Sequence, residues 1–192
     1  MTNESAKILR HCEKRSDVAI PSFFRRGLII CTIIICAAGF CFSPDESSAA
    51  LTQGDKVLVL KSKRVMTLLR KGRVLKTYKI ALGKQPVGKK YCAGDKRTPE
   101  GKYVVDFRKA DSKYHLALHV SYPNETDIQT SENLGVSPGG DIMIHGLPSG
   151  YEDVDEFHRI TDWTDGCIAV TNEEMEEIWN LVPDGTPIEI KP

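Results

Sequence analysis

The sequence carries no net charge: 26 Lys and Arg residues balance 26 Asp and Glu. That balance removes the bulk electrostatic pull of a basic chain toward nucleic acid, and no nucleic-acid partner is expected. Cysteines are scarce where a disulfide framework would need them. Of the six, Cys12 precedes an apolar run and Cys31, Cys36 and Cys41 sit within it, which leaves only Cys92 and Cys167 beyond it. Two cysteines do not make a framework. None of Cys31, Cys36 and Cys41 follows the small residue of a lipoprotein processing site. A run of bilayer-spanning length is missing too. Residues 28–42 are fifteen uncharged, mostly apolar residues. A spanning helix takes roughly 20, whereas the apolar part of a secretory signal takes about 7 to 15. No internal repeat is evident.

Four segments follow. Residues 1–27 are a basic N-terminal region with Lys7, Arg10, Lys14, Arg15, Arg25 and Arg26. Residues 28–42 form the apolar signal peptide or, if uncleaved, a membrane anchor, and 43–50 read as a polar linker. Ser48-Ala49-Ala50 supplies the small residues of a cleavage site. Residues 51–192 form one domain. Under either reading the basic flank stays inside, so this domain is expected in the periplasm or cell envelope. An uncleaved anchor would also make the inner membrane a partner.

The domain reads as mostly β. Short apolar runs over 56–60 and 64–70, a turn at Lys71-Gly72 and a further run over 73–82 give hairpin punctuation. Residues 103–107, 115–122, 141–145 and 188–190 are further strand candidates. In 115–122, Leu116, Leu118 and Val120 alternate with Ala117, His119 and Ser121, a strand with one buried face. One helix is predicted after Thr171, where Glu174 completes a capping box and Met175, Ile178, Trp179 and Val182 make an apolar stripe. Pro183-Asp184-Gly185 ends it. Charge is divided unevenly: residues 51–113 hold 18 basic against 5 acidic residues, and 114–192 hold 2 against 16. Either the halves pack together and neutralise one another, or the surface is polarised toward a charged polymer. The first is the default for exposed charge.

Two features can carry chemistry. His145 ends the apolar run Ile142-Met143-Ile144 and precedes Gly146, where a strand end can hold a ring rigidly beside a cleft. Cys167 follows Gly166, which permits a tight turn with backbone amides aimed inward. A thiol nucleophile needs a base, an electropositive setting and oxyanion donors. Equally, a histidine beside a glycine can be structural and a lone cysteine can be a small buried hydrophobe. A zinc site from His145, His158 and Cys167 matches no usual spacing, so no metal is expected.

Ile144-His145-Gly146, Thr164-Asp165-Gly166-Cys167-Ile168-Ala169-Val170 and the upstream Thr98-Pro99-Glu100-Gly101 together resemble the L,D-transpeptidase catalytic domain family of the YkuD type. The likeness runs from about residue 58 to 190. Asp165 stands where the common signature has histidine, and Ala169 where it has Arg or Asn, which is similar to an Asp-Gly-Cys-Ile-Ala branch. The resemblance implies a mostly β, sandwich-like domain with a C-terminal helix packed on it. It implies Cys167 as nucleophile, His145 as general base and the Gly146 carbonyl as its orienter. Amides near Asp165, Gly166 and Cys167 would hold the oxyanion. Arg159, Asp162, Trp163, Thr164, Asp165 and Gly166 become candidate substrate contacts. The implied reaction is acyl transfer on peptidoglycan stem peptides through a thioester, without cofactor, to a stem amine or a wall-linked protein. Hydrolysis of the same thioester, a non-catalytic wall-binding domain and a Cys92–Cys167 redox pair are the rival readings. Cys92, which the family pattern does not call for, is expected to lie apart from Cys167.

Overall fold

A computed structural model describes residues 53–192. The basic region, the apolar run and the 43–50 linker lie outside the described residues. Among the described residues no helix is long and apolar enough to cross a membrane.

Among the described residues, eight strands and two α-helices follow in order: β1 (Lys56–Leu60), β2 (Val65–Arg70), β3 (Arg73–Lys79), β4 (Gly101–Ser112), β5 (His115–Val120), α1 (Glu125–Asn133), β6 (Met143–His145), β7 (Ile168–Ala169), α2 (Asn172–Leu181) and β8 (Pro187–Lys191). The strands make one mixed sheet in the order β3-β2-β1-β8-β4-β5-β6-β7. Strand β4 is far longer than its 103–107 core predicts. Its first half pairs with β8 and its second with β5, across register shifts that bend the sheet. The two ends of the order then meet, since the chain after β3 bridges to β7 by paired Ala81–Ala169 backbone bonds of 3.0 and 2.9 Å. The predicted 73–82 run therefore divides into a strand and a closing bridge. Likewise, 141–145 shortens to β6.

Between the layers sits one core. Val57 and Val59 of β1, Met66 and Leu68 of β2, Leu118 and Val120 of β5 and Ile188 and Ile190 of β8 recur at period two, all essentially sealed. Helix α2 closes this core with Met175 and Ile178, and Val182 just past its end joins them. Its predicted cap is present, with Thr171 Oγ1 accepting from Glu174 N at 3.2 Å and Glu174 Oε2 accepting from Thr171 N at 3.1 Å.

Helix α1 was not predicted, because its sequence has no apolar stripe and Ile128 is half exposed. It forms around the reciprocal box of Asn124 and Asp127, which the Tyr103 hydroxyl joins at 2.9 Å. The two charge halves do neutralise each other: Lys56–Glu189, Arg64–Asp162, Lys76–Glu177, Lys84–Asp165 and Arg108–Asp184 all link one half to the other.

Candidate active site

Register decides which way His145 and Cys167 point. Ala117 lies opposite His145 and Leu118 opposite Ile144, while Ile144 and Ile168 are partners in the parallel β6–β7 pair. Ile144 and Ile168 face the core and are fully buried. Their neighbours His145 and Cys167 therefore project from the opposite face, with Cys167 level with Met143, two residues before His145 on β6. Ala117 is buried on this second face, so β5 is covered on both sides and not on one as its alternation predicts.

His145 is 3% exposed. Its Nδ1 donates to the Gly146 carbonyl at 2.7 Å, which fixes the tautomer and leaves Nε2 as the basic nitrogen. Burial pushes the imidazole down to about 4, against a smaller upward pull from that carbonyl. At neutral pH it is an uncharged base. Cys167 is a free thiol, so it is not joined to Cys92. Its Sγ donates to the Asp141 carbonyl at 3.5 Å and accepts from the Met143 amide at 3.4 Å. Burial raises the thiol, Asp141 and Asp165 add to this, and the Met143 amide opposes it. Lys90 adds a weaker downward pull that does not offset the burial. Both shifts favour the uncharged forms, thiol and neutral imidazole.

The three motif blocks meet behind Cys167. Gly166 has φ of +135°, and a Cβ there would come within 2.8 Å of the Arg97 carbonyl. Gly83 is tighter still, with a virtual Cβ 2.3 Å from the Lys96 carbonyl. The Thr98 hydroxyl accepts from Gly83 N at 3.0 Å. Buried Lys61 then holds the block by donating to the carbonyls of Gly88 and Thr98 at 2.8 Å and to Glu100 at 2.9 Å. The Thr-Pro-Glu-Gly segment is a wedge under the nucleophile loop.

The remaining candidates divide by what they touch. Thr164 is buried, and its hydroxyl donates to the Cys167 carbonyl at 2.8 Å while accepting from Gly166 N at 3.1 Å. That bond already engages the Gly166 amide expected at the oxyanion. Asp162 takes a two-pronged bond from Arg64, with Nε at 3.0 Å and Nη2 at 2.7 Å from Oδ2, and also accepts from Leu82 N at 3.0 Å. Arg159 pairs with Glu174 at 2.7 Å, tying the 3-10 segment Glu152–Arg159 to the start of α2. Asp165 is exposed and pairs with Lys84 at 3.2 Å. Trp163 meets the imidazole edge-on, with ring centroids 5.7 Å apart.

Sequence reasoning missed Tyr114. It sits at the β4–β5 hairpin tip, and its ring centroid lies 4.5 Å from that of His145. Nothing in its own neighbourhood signalled this beyond an aromatic at a turn. Beside it opens a cavity of about 500 Å³ walled by Tyr114, Leu147, Tyr151, Phe157, His158 and Trp163. Among the described residues no three His, Cys, Asp or Glu side chains converge as a metal site.

Residues 54–190 match the family model described as YkuD, the L,D-transpeptidase catalytic domain. The Escherichia coli K12 protein YafK is 31% identical over 112 residues, which cover 57% of this chain and 38% of that one. The structure of the helical cell shape determining protein Pgp2 from Campylobacter jejuni is similar at 28% identity and a TM-score of 0.56, covering 71% of this chain and 46% of that one. Bd1075 of Bdellovibrio bacteriovorus shares the fold at 24% identity and a TM-score of 0.53, covering 74% and 48%. The chain spans less than half the length of each of these relatives. With the model covering most of the chain and all three motif blocks, this chain belongs to the L,D-transpeptidase catalytic domain family.

Proposed function

We propose that this protein is a cysteine-dependent L,D-transpeptidase acting on peptidoglycan stem peptides outside the inner membrane, with residues 1–42 as its export segment. The observation that carries the proposal is a free Cys167 thiol bonded to the Met143 amide of β6, with a buried, neutral His145 two residues along the same strand. A neutral imidazole can accept a proton at physiological pH; an imidazolium cannot.

In the acylation step, Nε2 takes the Sγ proton as sulfur bonds to the donor carbonyl carbon. The oxyanion then collapses, breaking the bond to the terminal residue, whose amine leaves with the proton held on His145. A thioester remains on Cys167. An acceptor amine attacks it, gives a proton to His145, and the thiol leaves reprotonated. The elevated thiol makes the base essential, because little thiolate exists without it. The acceptor is a stem amine or a wall-linked protein; water in its place would make the protein a hydrolase.

The test is intact-mass detection of an acyl adduct on Cys167 after exposure to a stem tetrapeptide, followed by product analysis with and without an amine. Adduct and amine-dependent cross-linked product are expected. Absence of the adduct would overturn the reading, and release of free acid alone despite added amine would make the protein a hydrolase.

A further inference from the structure

We propose that Tyr114 and Trp163 are positioning residues for His145, forming an aromatic clamp that fixes its ring plane and keeps water from it. The inference rests on the general-base role of His145. The Tyr114 ring lies over one face of the imidazole, 4.5 Å away and tilted by 34°. Trp163 meets it at 70°, and the Tyr114 and Trp163 centroids are 6.3 Å apart, so the three rings form one cluster. Tyr114 also touches the next residue. A Cβ on Gly146 would come within 3.2 Å of the Tyr114 carbonyl and 2.5 Å of Asn172 Oδ1. The hairpin tip is therefore seated on the His145–Gly146 pair by both ring and backbone.

The tip is held in place for this. Tyr114 N donates to Ser112 Oγ at 3.0 Å, and His115 takes a left-handed φ of +64° to turn the chain back into β5. His115 Nε2 then bonds Glu176 of α2 at 3.0 Å. Removing the Tyr114 ring opens a face of the imidazole to solvent while leaving these ties intact.

Charged groups on the packed elements do not supply the same effect. Lys113 lies on the Tyr114 ring, 5.6 Å from its centroid. On α2, Glu176 is engaged with His115 and Glu174 with Arg159 of the 3-10 segment. On the nucleophile side stand Cys167, Asp141 and Asp165. His119 of β5, on the same face, is bound to Asp106 of β4 at 2.5 Å. His158 of the 3-10 segment walls the cavity that Tyr114 and Trp163 also line. The depression of the imidazole has burial as its first cause, with no charge contributing. Burial is what the two rings provide.

The test needs no acyl donor. The His145 imidazole of the full chain is titrated by NMR, assigned with His145→Gln, in wild type and in Y114F, Y114L and W163L. Wild type and Y114F are expected to share a low titration and a single Nδ1–H tautomer. Y114L is expected to titrate higher by about one pH unit or more, with mixed tautomers, as hydration returns. W163L should move the same way by less. An unchanged Y114L titration, or a Y114F shift as large as that of Y114L, would overturn the clamp. If Y114L does not fold, an unchanged W163L overturns it instead. A protein that fails to form the Cys167 adduct yet shows these shifts would lose the proposed function and keep the clamp.

Discussion

Lys61 and His145 are equally hidden from solvent, at 2% and 3% exposure, and are treated in opposite ways. Lys61 is saturated: all three of its donors find oxygen acceptors, one of them charged. His145 has one bonded nitrogen and one left over. A buried polar group costs free energy unless it is paired. The fold meets that requirement with protein acceptors under the wedge, and at the end of β6 it bonds Nδ1 and leaves Nε2 without a protein partner among the described residues. Asp162 and Asp165 repeat the contrast in the nucleophile loop. Asp162 is bound by a guanidinium and an amide, whereas Asp165 has one exposed lysine. Saturated groups hold the frame; groups with spare capacity are where chemistry can occur.

The contrast is broken most severely at its reactive end. Cys167→Ala should abolish adduct formation and turnover while leaving the thermal transition nearly unchanged, since this partly exposed thiol adds little to the core. Activity near wild type in that variant would remove the catalytic reading altogether. Cys167→Ser should be almost as inactive, because its hydroxyl is a far weaker acid. Next, His145→Gln should lower turnover by ~10² to 10⁴, the range for a lost general base. His158→Ala, by comparison, should be mild, and the reverse ranking would reassign the base.

At the saturated end the effect moves from rate to stability. Lys61→Met strands Glu100 against buried carbonyls and should cost about 3–5 kcal/mol in denaturant unfolding, the range for breaking a buried pair. A loss below about 1 kcal/mol would show that Lys61 is no framework residue.

The two ends should also differ in their response to pH. The folded imidazole lies at about 4 against an ordinary 6.5, so between those values the unfolded chain binds more protons. Stability must therefore fall as pH drops through that window, by about 3 kcal/mol at most from this group. His145→Gln should flatten that part of the stability–pH curve, and an unchanged curve would contradict the depressed imidazole. The smallest effect belongs to Asp165→Asn, which should change stability by less than about 1 kcal/mol because its pair is exposed. A clear rise in KM in that variant would mark Asp165 as a substrate contact.

Much was legible in the chain itself. Strands β1 and β2 follow from short apolar runs, β5 from alternation, and α2 from Thr171, Glu174 and a stripe ending at Val182. Cys167 and His145 were singled out by the resemblance of the motif blocks, since glycine, thiol and imidazole at strand ends alone left a structural reading open. Helix α1 was not legible, since its stability lies in a cap and a tyrosine 24 residues away. Asp162, Thr164 and Arg159 read as candidate substrate contacts in a polar loop. Their partners Arg64, the nucleophile loop's own backbone and Glu174 were invisible until the sheet closed.

The sequence by itself determined the pattern of faces. Within a strand, covalent geometry sends His145 away from the face of Ile144 and Cys167 away from that of Ile168, while the β5–β6–β7 register set which of those faces is the core. Only the tertiary structure decided the chemical state of those two groups. The imidazole is packed against Tyr114 and Trp163, which arrive from other parts of the chain, and desolvation is a property of the assembled neighbourhood. The thiol is raised and the imidazole lowered for that reason, which no local spacing encodes.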